Sequence, residues 1–106
     1  MKKILIVDDD EEFRGHLVEF LSGAGYQPDC ASSAIEACEK LSDQEFDIVL
    51  LDYMMPKKSG IDALFEIKRL RPKIKVIMIT AFSSIENAID AIKKGASDYI
   101  SKPFKI

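Results

Sequence analysis

Four short apolar runs in this chain each end on a polar residue able to do chemistry. Lys3-Ile4-Leu5-Ile6-Val7 runs into Asp8-Asp9-Asp10, and Ile48-Val49-Leu50-Leu51 runs into Asp52. Val76-Ile77-Met78-Ile79 runs into Thr80, and Tyr99-Ile100 leads to Ser101-Lys102-Pro103. Runs that are apolar throughout fit strands covered on both faces. Between them lie stretches with helical spacing and no break in composition, internal repeat or low-complexity linker. Strand alternating with helix predicts a parallel sheet with right-handed crossovers, in three layers of helix, sheet and helix. The C-terminal strand ends then share one edge, which is where open α/β sheets place their ligands. That edge would carry carboxylates, a hydroxyl and an ammonium, a set suited to a divalent metal and a phosphoryl group.

The elements can be followed in order. Phe13, Leu17, Phe20 and Leu21 recur at helical spacing after Asp8 to Glu12. Gly23 and Gly25 close that helix, because glycine takes the left-handed cap without penalty. Tyr26 to Ala31 alternates weakly and reads as a second strand. Ser33 with Glu36 forms a capping box before a helix expected to bury Ile35, Cys38 and Leu41. Asp47 to Leu51 is the third strand. A loop from Met54 to Gly60 leads into a helix carrying Ile61, Leu64, Phe65 and Leu70, stopped by Pro72. Lys75 to Ile79 is the fourth strand. Ser83 with Glu86 opens a helix with Ile85, Ala88, Ile89 and Ile92, closed by Gly95, and Asp98 to Ser101 is the fifth strand. A fifth covering helix is expected after it, but the sequence stops at Ile106. Residues 1–106 therefore read as one domain, a fragment of a longer protein.

With 47% hydrophobic and 31% charged residues the composition is that of an ordinary globular domain. A net charge of −3, with Lys57-Lys58 and Lys93-Lys94 as isolated pairs, offers no basic face for gripping nucleic acid directly. Cys30 and Cys38 lack the second Cys pair or His cluster that a zinc site needs, and read as small, buried, reduced thiols. Reduced thiols fit a cytoplasmic protein. The N-terminal apolar run stops at an acidic cluster, too soon for a signal peptide or a membrane span. His16, off the apolar face of the first helix, reads as a solvated side chain.

The acidic residues carry the chemistry. Asp8 and Asp9 follow the first strand and Asp52 follows the third. Crowding three carboxylates is costly unless a cation sits among them. Mg²⁺ fits, since it takes oxygen ligands and keeps several waters. Asp10 reads as the helix cap, where the dipole favours an anion. Capping alone would also account for Asp8 and Asp9. Asp52 is the candidate nucleophile, because a carboxylate can attack phosphorus to give an acyl phosphate. Thr80 could donate a hydrogen bond to a phosphoryl oxygen, or simply be a β-branched residue finishing a strand. Lys102 could pair with the phosphoryl group, or be a solvated lysine.

Taken together, Ile6-Val7-Asp8-Asp9-Asp10, Leu50-Leu51-Asp52-Tyr53-Met54-Met55-Pro56 with Ser59-Gly60, Ile79-Thr80-Ala81, and Gly95 through Phe104 resemble the receiver domain of two-component response regulators. The likeness covers nearly the whole chain, and its motifs occur in the family's order and spacing. It implies a flavodoxin-like doubly wound parallel sheet of five strands in the order 2-1-3-4-5, with the fifth helix missing from this chain. It implies that Asp52 accepts a phosphoryl group from a histidine kinase or phosphotransfer protein in a Mg²⁺-dependent reaction that the domain itself catalyses. Asp9 would bind the metal directly, Asp8 mostly through water, and the backbone carbonyl of Met54 would add a further oxygen. Thr80 would be the switch hydroxyl, Tyr99 the aromatic that turns inward on activation, and Lys102 the phosphate-pairing lysine, with a cis bond before Pro103. The output would be a domain of the same protein or a separate partner, with homodimerisation among its contacts. The stretch from Ser84 to Ala96 looks most like receivers of the nitrogen-regulator type.

Three other readings compete. Asp8-Asp9-Asp10 also fits the opening of haloacid-dehalogenase-like phosphatases, but the chain is short for that fold and lacks a later acidic pair. A receiver-like module that is never phosphorylated should have lost an acidic or lysine position, and all are present. A flavodoxin-type flavin site needs a Ser/Thr/Gly-rich loop after the first strand, where this chain has acids.

Overall fold

The computed structural model describes residues 2–52, 60–80 and 98–101. Five strands, β1 (Lys3–Val7), β2 (Gln27–Ala31), β3 (Ile48–Asp52), β4 (Lys75–Thr80) and β5 (Asp98–Ser101), alternate with helices α1 (Glu11–Gly23), α2 (Ala34–Asp43) and α3 (Gly60–Leu70). All strand pairs are parallel, in the order β2-β1-β3-β4-β5. This is the expected topology. The helix expected between Ser83 and Gly95 lies outside the described residues.

The central strands are apolar because both their faces are covered. Leu5, Val7, Val49, Leu51, Val76 and Met78 point to one side, where they meet Ala34, Ala37 and Leu41 of α2 and Ala63, Leu64 and Ile67 of α3. Ile4, Ile6 and Ile79 point to the other, against Leu17 of α1, with Phe13, Val18 and Leu21 packed around them. Each fully buried Leu or Ile contributes roughly 1.5–3 kcal/mol relative to exposure. Pro28 marks β2 as an edge strand, where a missing N–H leaves no ladder bond unmade.

Two helical faces differ from the expectation. Ile35 is 69% exposed, and the buried residues of α2 are Ala34, Ala37 and Leu41. On α3, Phe65 and Leu70 are exposed while Ala63, Leu64 and Ile67 are fully buried. In both helices small alanines face inward, which lets two helices that also touch each other sit close to the sheet. Phe20 of α1 is likewise exposed. Cys30 and Cys38 are reduced cysteines, half-buried rather than fully buried.

The caps behave as their chemistry requires. Asp10 accepts the amides of Glu12 and Phe13 through one carboxylate oxygen, at 3.0 and 3.2 Å. Gly25 turns the chain after α1 with φ of 95°, the left-handed region glycine tolerates. Ser33 Oγ accepts the Glu36 amide at 3.1 Å. The Glu36 carboxylate reaches one residue further back than a regular capping box, to the amide of Ser32 at 2.7 Å and its hydroxyl at 3.1 Å.

Candidate metal centre at the sheet edge

Strand register assembles the site. Val7 pairs with Leu51, so the next residue of each strand, Asp8 and Asp52, emerges at the same level of the sheet. Both are buried, at 1% and 5% exposure, whereas Asp9 is exposed. Each of the three offers a carboxylate oxygen, and these oxygens lie within 4.8 Å of one another. At that separation two full charges repel by about 1 kcal/mol in water and about 3.5 kcal/mol at an effective dielectric of 20. A dication among them reverses the sign of that energy. The donors are all oxygen, which selects a hard cation such as Mg²⁺ or Ca²⁺. The residues present therefore fit the metal that the sequence implied.

The loop carrying Asp8 and Asp9 is tied down from several sides. The Asp8 amide donates to the carbonyl of Ala31 at the end of β2, at 3.1 Å. The Asp8 carboxylate accepts the amide of Asp10 at 2.9 Å. Arg14 of α1 donates from Nη1 to the Asp8 carbonyl at 2.6 Å. Sequence reasoning passed over Arg14, since its partner is a main-chain atom; its place four residues after the capping Asp10, off the apolar stripe, was the available signal.

The remaining expected residues fall in two groups. Asp52 pairs in register with Ile79, so the backbone of Thr80 follows one step beyond on the adjacent strand, paired with Ser101. Tyr99 lies in β5, in register with Met78. Met54 and Lys102 lie outside the described residues.

Three titratable groups flank the neighbouring β2–α2 turn. Burial pushes the Asp29 carboxyl up, but hydrogen bonds from Lys40 and the Cys30 amide, with the Lys40 charge, prevail and hold it below its ordinary value. Lys40 bridges Asp29 at 2.8 Å and the Cys30 carbonyl at 2.6 Å. Burial raises the Cys30 thiol. The Ser32 amide, donating to Glu36, holds that carboxyl below its usual range. None of the three belongs to the carboxylate notch.

Comparison with known proteins places the chain. Residues 4–106 match the profile of the response regulator receiver domain. Transcriptional regulatory protein ZraR of Escherichia coli K12 is 46% identical over 100 residues, covering 94% of this chain but 23% of ZraR. Chemotaxis protein CheY of Thermotoga maritima is 41% identical over 105 residues, covering 98% of this chain and 88% of CheY. A crystal structure of a Burkholderia pseudomallei response regulator with a phosphorylated aspartic acid, calcium ion and citrate superposes with a TM-score of 0.92 at 30% identity, covering 99% of this chain and 62% of that one. The chain thus spans 23% of the length of the ZraR relatives it matches.

Proposed function

The chain belongs to the response regulator receiver domain family of two-component signalling, and from that premise we propose that Asp52 is the residue it phosphorylates. The phosphoryl group would come from a sensor histidine kinase or phosphotransfer protein. The observation that carries this reading is the notch in which Asp52 meets Asp8 and Asp9 across two adjacent strands.

In the proposed reaction an Asp52 carboxylate oxygen attacks phosphorus. The O–P bond of an acyl phosphate forms as the P–N bond of the donor phosphohistidine breaks, and the electron pair returns to the imidazole. Asp9 would hold Mg²⁺ directly and Asp8 mostly through water, joined by Asp52 and the Met54 carbonyl. When bound, the cation supplies positive charge against the phosphoryl oxygens. Thr80 donates a hydrogen bond to one phosphoryl oxygen and Lys102 pairs with another. The β3–β4 register, which sets Thr80 one step past the partner of Asp52, supports that role. Phosphorylation would bias a pre-existing equilibrium toward the active state: the new charge draws Thr80 toward Asp52, Tyr99 fills the space it vacates, and the surface offered to partners changes as a result. The domain thereby catalyses its own phosphorylation and dephosphorylation without being a conventional enzyme.

We read the output as a domain of the same protein or a separate partner, with homodimerisation among the contacts, because ZraR is a much longer transcriptional regulator. No helix among the described residues is long and apolar enough to cross a membrane.

The test is direct. Incubation with Mg²⁺ and acetyl phosphate should yield an acid-stable, base-labile phosphate that mass spectrometry maps to Asp52. Asp52→Asn should keep the fold and lose the label. Undiminished labelling of that variant removes Asp52 from the role.

A further inference from the structure

Asp8 and Asp52 are walls of the notch, fixed by the sheet, but Asp9 is an exposed loop residue. Its aim depends on the two peptide units that flank it. The unit between Asp9 and Asp10 is held at its N–H by the Asp8 carboxylate, at 2.9 Å. The unit between Asp8 and Asp9 is held at its carbonyl by the Arg14 guanidinium, at 2.6 Å. Arg14 reaches that carbonyl because helical side chains tilt back toward the helix N-terminus, and Arg14 stands in the first full turn, its amide bonded to the Asp10 carbonyl at 3.0 Å.

We propose that Arg14 is a positioning residue of the metal centre: by fixing the peptide plane that precedes Asp9, its guanidinium aims the Asp9 carboxylate and so sets Mg²⁺ affinity. It acts through the Asp8 main-chain carbonyl. The proposal rests on the reading of Asp8, Asp9 and Asp52 as Mg²⁺ ligands. Its sign separates it from plain electrostatics. A cation beside the notch repels Mg²⁺, so removing it should tighten binding if charge were its whole effect. Loss of positioning weakens binding instead. Groups that orient metal ligands typically carry 10–100-fold in affinity.

The experiment is Mg²⁺ titration by isothermal calorimetry on wild type, Arg14→Gln, Arg14→Lys and Asp9→Asn. It is run at a temperature where melting curves in EDTA show every variant folded, so that lost stability does not enter. Arg14→Gln should weaken Mg²⁺ binding about tenfold. Arg14→Lys should recover most of the loss, because one donor serves one carbonyl. Arg14→Gln binding as tightly as wild type, or more tightly, overturns the proposal, and so does an Arg14→Lys protein no better than Arg14→Gln. A wild type that binds no Mg²⁺, or an Asp9→Asn protein that binds it unchanged, instead overturns the ligand assignment beneath it.

Discussion

Replacing Asp9 by Asn should make the metal-free protein more stable and the Mg²⁺-loaded protein less so. The magnitude follows from the notch. Asp9 stands within 4.8 Å of carboxylate oxygens on both Asp8 and Asp52. Because Asp9 is exposed, the appropriate dielectric is nearer water than protein, and each pair repels by about 1 kcal/mol. In the unfolded chain Asp8 stays beside Asp9 but Asp52 is far away, so the Asp52 half of this repulsion belongs to the folded state. Asp9→Asn should therefore gain about 1 kcal/mol in EDTA at low salt, with each kcal/mol moving the melting temperature by roughly 4–8 °C. The gain should shrink in 1 M KCl, where the screening length falls to about 3 Å. Mg²⁺ at a hundred times its dissociation constant should stabilise wild type by about 2.7 kcal/mol, and the variant by much less. The two melting curves should thus change places between EDTA and Mg²⁺, which differential scanning fluorimetry reads directly. A variant that melts below wild type in both buffers, or responds equally to Mg²⁺, would refute the idea that these carboxylates crowd one cation seat.

Three further expectations concern the scaffold. Leu41→Ala, at a fully buried site, should cost about 2–5 kcal/mol in urea unfolding, whereas Ile35→Ser on the same helix should stay within about 0.5 kcal/mol of wild type. Ser33→Ala removes the N-cap of α2 and should cost about 1 kcal/mol, read as a lower urea midpoint with an unchanged slope. Because the folded-state carboxyl of Glu36 is held below its ordinary value of 4.5, its stabilisation is full above that pH and lost as pH falls through the lower folded value; the stability gap between wild type and Glu36→Gln should narrow from pH 7 toward pH 3, and a constant gap would count against the Ser32 contact.

The strands were legible because burial on both faces forces continuous apolar runs, and β1, β3 and β4 leave no ambiguity of that kind. The caps were legible because Asp10 and Ser33 act on amides two or three residues away. The inward faces of α2 and α3 were not. Apolar side chains crowd both helices, and hydrophobicity alone cannot say whether Ile35 or Ala37 faces the sheet. The close approach of the two helices decides it, and that is a tertiary fact. Within the site, Asp8, Asp9 and Asp52 could be singled out because each follows an apolar run. Arg14 offered only its place off the apolar stripe, since a side chain that serves a carbonyl six residues back leaves no pairing pattern in the sequence.

Burial divides the three carboxylates into two mechanical classes. Asp8 and Asp52 continue paired strands, so any shift of β1 against β3 moves them relative to each other only by breaking the Val7–Leu51 register. A one-residue slip would turn the slipped strand's faces over and carry its carboxylate out of line with the other. Asp9 has no such protection. Its geometry can change by rotation of single peptide units at the cost of one or two hydrogen bonds, each worth roughly 1 kcal/mol net and somewhat more where charged. With the proposed cation in the notch, its affinity can therefore drift by substitution around the β1–α1 loop while the position of Asp52 stays fixed. Asp9 and Asp52 are held by different parts of the structure, so the aim of one can be tuned without displacing the other.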